Sequence, residues 1–154
     1  MAQVAEEVKR LKGLPHYPRW VILGLVGLAG AAFCRIFGGG SVEMAVAFVA
    51  TVAGLFTRQE AHRLKFNPYL CVFFGAFVAS FIAGLAEHFQ IGQQPDKAFA
   101  TAVLFLVPGV PLINSVTDLM DGNIQNGMVR AMNGLMIAFS IAMGIFSVKM
   151  ILNF

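Results

Sequence analysis

Apolar residues fall into five long runs along the chain, and polar or glycine-rich segments separate them. A membrane-spanning helix needs about 20 predominantly apolar residues, so these runs are typical of membrane spans, the second being short. The pattern predicts an all-α polytopic membrane protein with five transmembrane helices over residues 20–154, after a short amphipathic lead-in over residues 1–19. The predicted spans are 20–37, 42–57, 68–86, 97–120 and 127–153.

The fourth run is interrupted by Pro108-Gly109-Val110-Pro111. Each proline lacks a backbone N–H and crowds the carbonyl one turn earlier, so this span should break at Pro108-Gly109, and a second half-helix should cover 110–120. In lipid, backbone freed by a break is tolerated only where protein or water satisfies it, which predicts that the break lines a cavity. The half-helix would present exposed N–H groups to an anion such as a carboxylate. A proline-kinked helix without a ligand is the alternative.

Polar side chains recur at helical spacing on both sides of a predicted tight turn at Asp121-Gly122-Asn123. Residues three or four apart share a helix face, so two polar stripes should face each other across this turn. Arg130 could pair with Asp118 or Asp121, or could hold a ligand carboxylate through two parallel hydrogen bonds. A charge inside a span is costly, which makes Asp118 a functional candidate. The stripes are Asn114, Asp118 and Asp121 before the turn, and Asn126, Arg130 and Asn133 after it.

Small residues dominate one side of the first span, where Gly24, Gly27 and Gly30 recur every third position. Such residues let a neighbouring helix approach closely, so this side is predicted to be a packing face. The second span follows a glycine turn, which brings Arg35 and Glu43 to the same membrane face. The two charges could form a structural pair, or they could take part in substrate or proton binding.

Composition agrees with a membrane protein, because 58% of the residues are hydrophobic and the mean hydropathy is +0.75. Charged residues make up 12%, about half of the share in an average soluble domain. The net charge of +3 is too small to indicate a nucleic-acid partner. Cys34 and Cys71 lie in apolar runs and are expected to be buried thiols. No metal-ligand spacing, nucleophile–base pair or glycine-rich phosphate loop is visible, so we expect no metal, no cofactor and no enzyme.

Lysine and arginine are distributed unevenly between the two predicted membrane faces. Eight of these residues fall in the N-terminal segment and in the second and fourth connectors, against three on the other side. The positive-inside rule then predicts a cytoplasmic N-terminus and, with five spans, a C-terminus outside.

The motif Pro108-Gly109-x-Pro111-x-x-Asn114-x-x-x-Asp118-x-x-x-Gly122-x-x-x-x-Gly127-x-x-Arg130 resembles the signature of the threonine/serine exporter family. The resemblance extends from about Tyr17 to the end and is also carried by Tyr17-Pro18-Arg19-Trp20, Cys34-Arg35, Gly38-Gly39-Gly40 and Glu43. It implies a cell inner-membrane protein that exports threonine, serine or related small organic acids and is driven by the proton gradient. Family members usually carry a sizeable soluble domain before the first span, whereas about nineteen residues precede it here.

Within this family the chain is most similar to the larger subunit of a split, two-gene form. A second five-span protein supplies the other half of that form, and a dicarboxylate such as succinate is its suggested cargo. Two five-span halves would be oppositely oriented, which suits alternating access between inverted repeats. The resemblance therefore implies a partner half, or a second copy of this chain, within the lipid bilayer.

The broken helix and the resemblance together predict a substrate site. The substrate carboxylate would lie at Pro108, Gly109 and Pro111, and Asn114 would hydrogen-bond the substrate. Asp118 would bind an ammonium group or carry the coupled proton, while Arg130 would balance Asp118 or hold a second carboxylate. Secondary roles are expected for Arg35, Glu43, Asp121, Asn126 and Asn133.

Two other functions remain open from the sequence. In the first, the chain is an assembly subunit whose glycine-rich first span stabilises a partner that holds the site. In the second, it is part of a channel, which would show uncoupled flux that does not depend on pH.

Overall fold

The structure is a computed structural model that describes residues 17–153, and these residues fold into helices joined by short turns. Four of the helices are long and apolar enough to cross a membrane, and a fifth span results if the bent pair α4–α5 is counted as one. Residues 1–16 of the amphipathic lead-in predicted over residues 1–19 lie outside the described residues, and Arg19 already belongs to the first helix. The helices are α1 (Arg19–Ile36), α2 (Ser41–Arg63), α3 (Pro68–His88), α4 (Pro95–Ala102), α5 (Gly109–Met120) and α6 (Ile124–Leu152), with a 3₁₀ turn at Leu104–Leu106.

Helices α1 and α2 form a tight hairpin around the glycine turn. Gly38 has φ of +85°, a conformation that glycine adopts without strain. A Cβ at Gly30 would lie 2.5 Å from Thr51 Oγ1, and one at Gly27 would lie 2.5 Å from a methyl of Val52. The predicted packing face is therefore used inside the chain at these two positions, whereas Gly24 has nothing within 4 Å of its added Cβ.

Helix α2 is longer than its apolar run: it continues to Arg63, so the connector expected directly after the predicted span 42–57 is largely helical. The polar residues continue the helix because α1 supplies partners for them. The Arg19 guanidinium donates to the side chains of Gln59 and Glu60 and lies 4.6 Å from the centre of the Phe56 ring. The helix ends at Arg63, and α3 begins at Pro68, capped by the side chain of Asn67.

Helix α3 lies at the centre of the bundle and packs against α2, α4 and α6. Small residues allow these close contacts: an added Cβ at Gly144 would lie 2.9 Å from Ala76 Cβ. Short helix α4 fills the space between α2, α3 and α6. One apolar cluster joins all four helices through Ala50, Ala83, Phe99, Ala102 and Val148.

The chain between α4 and α5 leaves the α-helix earlier than the prolines alone predict. Helix α4 begins at Pro95, a favoured first position, and already ends at Ala102. Because Pro108 disfavours helical geometry in the residue before it, Val107 is extended, with ψ of 126°. The Leu106 and Val107 N–H groups bond three residues back in a 3₁₀ turn. Helix α5 then leaves at an angle of 58° to the preceding segment.

Helices α5 and α6 form a hairpin, of which α5 stands apart from the bundle. Gly122 has φ of +80° in the connecting turn, as expected for a left-handed position. Within the described chain, α5 packs against α6 and makes no comparable contact with α1, α2 or α3. The first half of α6 thus packs against α5, and its second half packs against α3.

Candidate substrate site on the α5–α6 hairpin

One ion pair links the two helices of the hairpin. Arg130 Nη1 of α6 lies 2.7 Å from Asp118 Oδ2 of α5, which confirms one of the two pairings expected for Arg130. The Arg130 side chain remains 51% exposed and that of Asp118 is 20% exposed. The buried Asp118 Oδ2 accepts no hydrogen bond of normal geometry from residues 17–153, so its contact with Arg130 is electrostatic. Since a guanidinium carries five N–H donors, Arg130 can bind a further anion while it stays beside Asp118.

Asn114 lies one turn before Asp118 on α5 and is exposed. Its amide makes no hydrogen bond within residues 17–153 and is available to a ligand. Ser115 is the buried residue of α5, and its carbonyl oxygen would lie 3.0 Å from a Cβ at Gly127. The contact with Gly127 fixes the rotation of α5, which turns Asn114 outward and Asp118 toward Arg130.

Of the two polar stripes, which the sequence allowed to face each other, the structure brings together Asp118 and Arg130, whereas the other members do not pair across the hairpin within the described residues. Asn133 instead accepts a hydrogen bond from the Tyr69 hydroxyl of α3, at 3.0 Å. Asp121 and Asn126 are exposed at the turn. The stripes diverge because α5 touches α6 only over its inner face, while Asn133 already lies beside the start of α3.

A groove of about 490 Å³ opens between α3 and α6 and contains the free side of Arg130. This volume is in the range of small-molecule sites. Tyr69 was not predicted as a site residue. Local spacing gives no signal for it, because its hydrogen-bond partner Asn133 is 64 residues distant in sequence. The groove is lined by Tyr69, Val129, Arg130, Met132, Asn133 and Met136.

The start of α5 offers fewer donors than the sequence suggested. Gly109 N–H donates to the Val107 carbonyl at 2.9 Å, in a three-residue turn around Pro108, and Leu112 N–H donates to the Pro108 carbonyl. Pro111 has no N–H. Only Val110 N–H remains without a partner among the described residues, so the half-helix presents one free donor to an anion rather than several.

Arg35 and Glu43 do not form the ion pair that the sequence allowed. The Arg35 guanidinium donates to the Gly39 carbonyl at 3.3 Å. Glu43 is 2% exposed, and its Oε1 accepts the backbone N–H groups of Gln93 and Gln94 at 2.6 and 2.8 Å. The partner of Glu43 is thus a loop fifty residues later, which local spacing does not reveal.

Within residues 17–153, no three His, Cys, Asp or Glu side chains lie close enough together to hold a metal ion. Cys34 and Cys71 are free thiols and are buried, as expected from their apolar surroundings.

The apolar helices, the break between α4 and α5 and the half-exposed ion pair place the chain in the class of multi-pass membrane proteins. The chain belongs to the threonine/serine exporter family, whose sequence profile matches residues 1–152. That family is one of transporters. No solved structure matches the chain.

Three relatives illustrate the similarity. The chain is 37% identical over 128 residues to "Probable succinate transporter subunit YjjP" of Klebsiella aerogenes, covering 82% of this chain and 49% of that protein. It is 36% identical over 116 residues to the protein of the same name in Escherichia coli, covering 75% and 45%. It is 28% identical over 146 residues to "Probable threonine/serine exporter" of Mycobacterium tuberculosis, covering 93% and 27%. The chain thus spans about half the length of the first two relatives and about a quarter of the third.

Proposed function

We propose that this chain is one membrane half of a proton-gradient-driven exporter of small amino acids such as threonine and serine. Its site lies in the inner membrane on the α5–α6 hairpin and comprises Asn114, Asp118 and Arg130. The α4–α5 pair acts as one broken span, which gives five spans, a cytoplasmic N-terminus and a C-terminus outside.

The observation that carries this proposal is the Asp118–Arg130 pair. Ionisable side chains within spans are expensive and usually mark substrate or ion pathways. Here one anion and one cation lie side by side, with half of the arginine side chain exposed. An amino-acid zwitterion carries the complementary charges, so its carboxylate can bind Arg130 and its ammonium group can bind Asp118. Asn114 and the free Val110 N–H are further polar groups on the same helix.

A dicarboxylate such as succinate is the second candidate, because two relatives are named as succinate transporter subunits. A dianion needs two cationic groups, and Arg130 is the one cation of the described hairpin near Asp118. Asp118 would repel such a substrate unless it were protonated or the partner half supplied a second cation. The charge pattern of this half therefore favours a zwitterion.

The Asp118→Asn variant of the complete transporter, reconstituted in vesicles, distinguishes the two cargoes. If threonine or serine is the cargo, exchange should fall at least about tenfold, because a hydrogen bond between charged groups contributes about 1.5–3 kcal/mol. If a dicarboxylate is the cargo, exchange should be unchanged or faster, because a repulsive charge has been removed. Asp121→Asn is the matched control, since Asp121 is exposed at the turn and should leave both exchanges unchanged. Unchanged exchange of both substrates in Asp118→Asn would refute the site.

A partner half, or a second copy of this chain, is proposed to cover the exposed side of the hairpin. Lipid suits the apolar side chains there, such as Ile113 and Met132, but not the exposed amide of Asn114. The named relatives described as subunits support a partner. The Val116→Cys variant should then form cross-links to a second membrane chain.

The alternative of a pure assembly subunit makes a different prediction. Gly27 and Gly30 pack inside the chain, so Gly24 is the one position of that face that has room for an outside helix. If assembly through α1 is the whole function, Gly24→Leu should abolish complex formation and Asp118→Asn should have no effect on transport. If the hairpin site is correct, Gly24→Leu should leave complex formation intact and Asp118→Asn should reduce transport.

A further inference from the structure

The described chain contains six carboxyl side chains, and five of them have surroundings that suit the ionised form. Asp96 and Asp121 are exposed to solvent. Glu60 lies beside the guanidinium groups of Arg19 and Arg63. Asp118 is held by Arg130, and Glu43 by two backbone N–H groups. Each of these carboxylates would lose a partner or its hydration if it took up a proton, so none is suited to alternate between the two forms.

Glu87, in the last turn of α3, is different. Its Oε2 atom is buried and has no hydrogen-bond partner within the described residues. Asp118 Oδ2 shares this feature but lies 2.7 Å from a guanidinium nitrogen of Arg130, whereas Glu87 has no such ion pair among the described residues. A buried carboxylate oxygen without a donor is unfavourable when it is ionised, and the penalty disappears when the oxygen carries a proton.

Charges of both signs face Glu87 from the helices that pack against α3. The cation is Lys149 of α6, and the anion is Asp96 of α4. On its own helix the neighbour is His88, which is exposed, and the loop over residues 89–94 carries no charged side chain. Glu43 of α2 reaches that same loop. Small relative movements of α4 and α6 would therefore change the balance between a protonated and an ionised Glu87.

We propose that Glu87 is the proton-binding carboxyl that couples the proton gradient to export, and that the charges of Lys149 and Asp96 set the fraction of Glu87 that is protonated. The proton would bind Glu87 from the membrane face opposite to the α5–α6 turn and leave it when α4 and α6 shift. The proton is taken from water and returned to water, and no other bond changes. The coupling role rests on the proposed function, whereas the protonated state of Glu87 is a property of the protein alone.

The protonated state can be measured without transport. Infrared spectra of the purified complete transporter in lipid, titrated with pH, should contain a protonated-carboxyl band near neutral pH. Glu87→Gln should remove that band, and Glu60→Gln should keep it, since Glu60 is ion-paired. A band that persists in Glu87→Gln, or no band in the unmodified protein, would overturn the proposal. The second outcome needs no variant and so does not depend on the folding of Glu87→Gln.

Flux in vesicles separates coupling from structural support. A one-proton exchange can sustain about a tenfold substrate gradient for each pH unit across the membrane. Glu87→Gln should reduce this accumulation ratio to about one while substrate exchange at equal pH stays at the level of the unmodified protein. Loss of exchange and accumulation together would indicate a structural residue and would overturn the coupling role. If the unmodified transporter itself shows no proton-driven flux, the proposed function fails and the infrared titration still decides the state of Glu87.

Discussion

The contact at Gly127 fixes α5 against α6, so a methyl group at this position should open the hairpin that carries the candidate site. A Cβ there would lie 2.7 Å from Leu119 Cγ and 3.0 Å from the Ser115 carbonyl oxygen. Carbon atoms in favourable contact are about 3.5–4.0 Å apart, so both groups would have to move. The Leu119 side chain can shift, but the Ser115 carbonyl belongs to the backbone of α5. Gly127→Ala should therefore push the two helices apart.

The expected cost follows from two opposing terms. Forcing an extra methyl group into a packed contact costs about 1–3 kcal/mol. Alanine in a helix is favoured over glycine by about 0.5–1 kcal/mol, which offsets part of this cost. The net destabilisation of Gly127→Ala should be about 1–2 kcal/mol. Gly24→Ala is the matched control, because its Cβ meets nothing within 4 Å and only the favourable term applies.

Equilibrium unfolding of the purified chain in mixed micelles, followed by circular dichroism, measures both variants. Gly127→Ala should unfold at a lower denaturant fraction than the unmodified chain, and Gly24→Ala at an equal or higher one. A spin-label distance between α5 and α6 should increase in Gly127→Ala only. Equal stability of Gly127→Ala and the unmodified chain would refute the packing argument, as would an equal loss in Gly24→Ala.

Two further predictions concern contacts between distant segments. Glu43→Gln weakens the acceptor of the Gln93 and Gln94 N–H groups, so hydrogen exchange at these two amides should accelerate; unchanged exchange would show that the carboxylate charge does not hold the loop. Tyr69→Phe removes the hydrogen bond to Asn133. The side chains that line the groove beside Arg130 should become more mobile, and the free energy of unfolding should fall by about 0.5–1.5 kcal/mol. A Tyr69→Phe variant with unaltered stability and unaltered substrate exchange would show that this contact is dispensable.

The apolar pattern alone was sufficient to predict the all-helical fold and most helix boundaries. The prediction for the second span failed because hydropathy marks where apolar residues end, whereas the helix continues to Arg63 through polar residues that Arg19 binds. The early end of α4 was also missed. The reason is that a proline acts on the residue before it as well as on its own turn, so residues 103–107 leave the α-helix together.

Spacing gave Asp118 and Asp121 as alternative partners of Arg130, and the structure shows the pair with Asp118. Both alternatives could be named because they and Arg130 flank one short turn, where sequence distance and spatial distance correspond. The other contacts of candidate residues join segments that are far apart in sequence, as with Glu43 and the loop at Gln93, or Asn133 and Tyr69. Helix spacing carries no information about these pairings. The packing of α3 and α4 decides which group contacts each of these polar side chains, and only the structure shows this packing.

The most direct test of the central claim is threonine exchange by the complete transporter that carries both Asp118→Asn and Arg130→Gln. These substitutions remove both charges and leave the net charge unchanged; Asp118→Asn is isosteric, whereas Arg130→Gln also shortens the side chain. Asp121→Asn serves as the control for the loss of a carboxylate on the same hairpin. The account predicts that exchange falls at least about a hundredfold in the double variant, since two charged contacts of about 1.5–3 kcal/mol each are lost, and that the control keeps full exchange. Threonine exchange at the unmodified rate in the double variant would contradict the assignment of the substrate site to the α5–α6 hairpin.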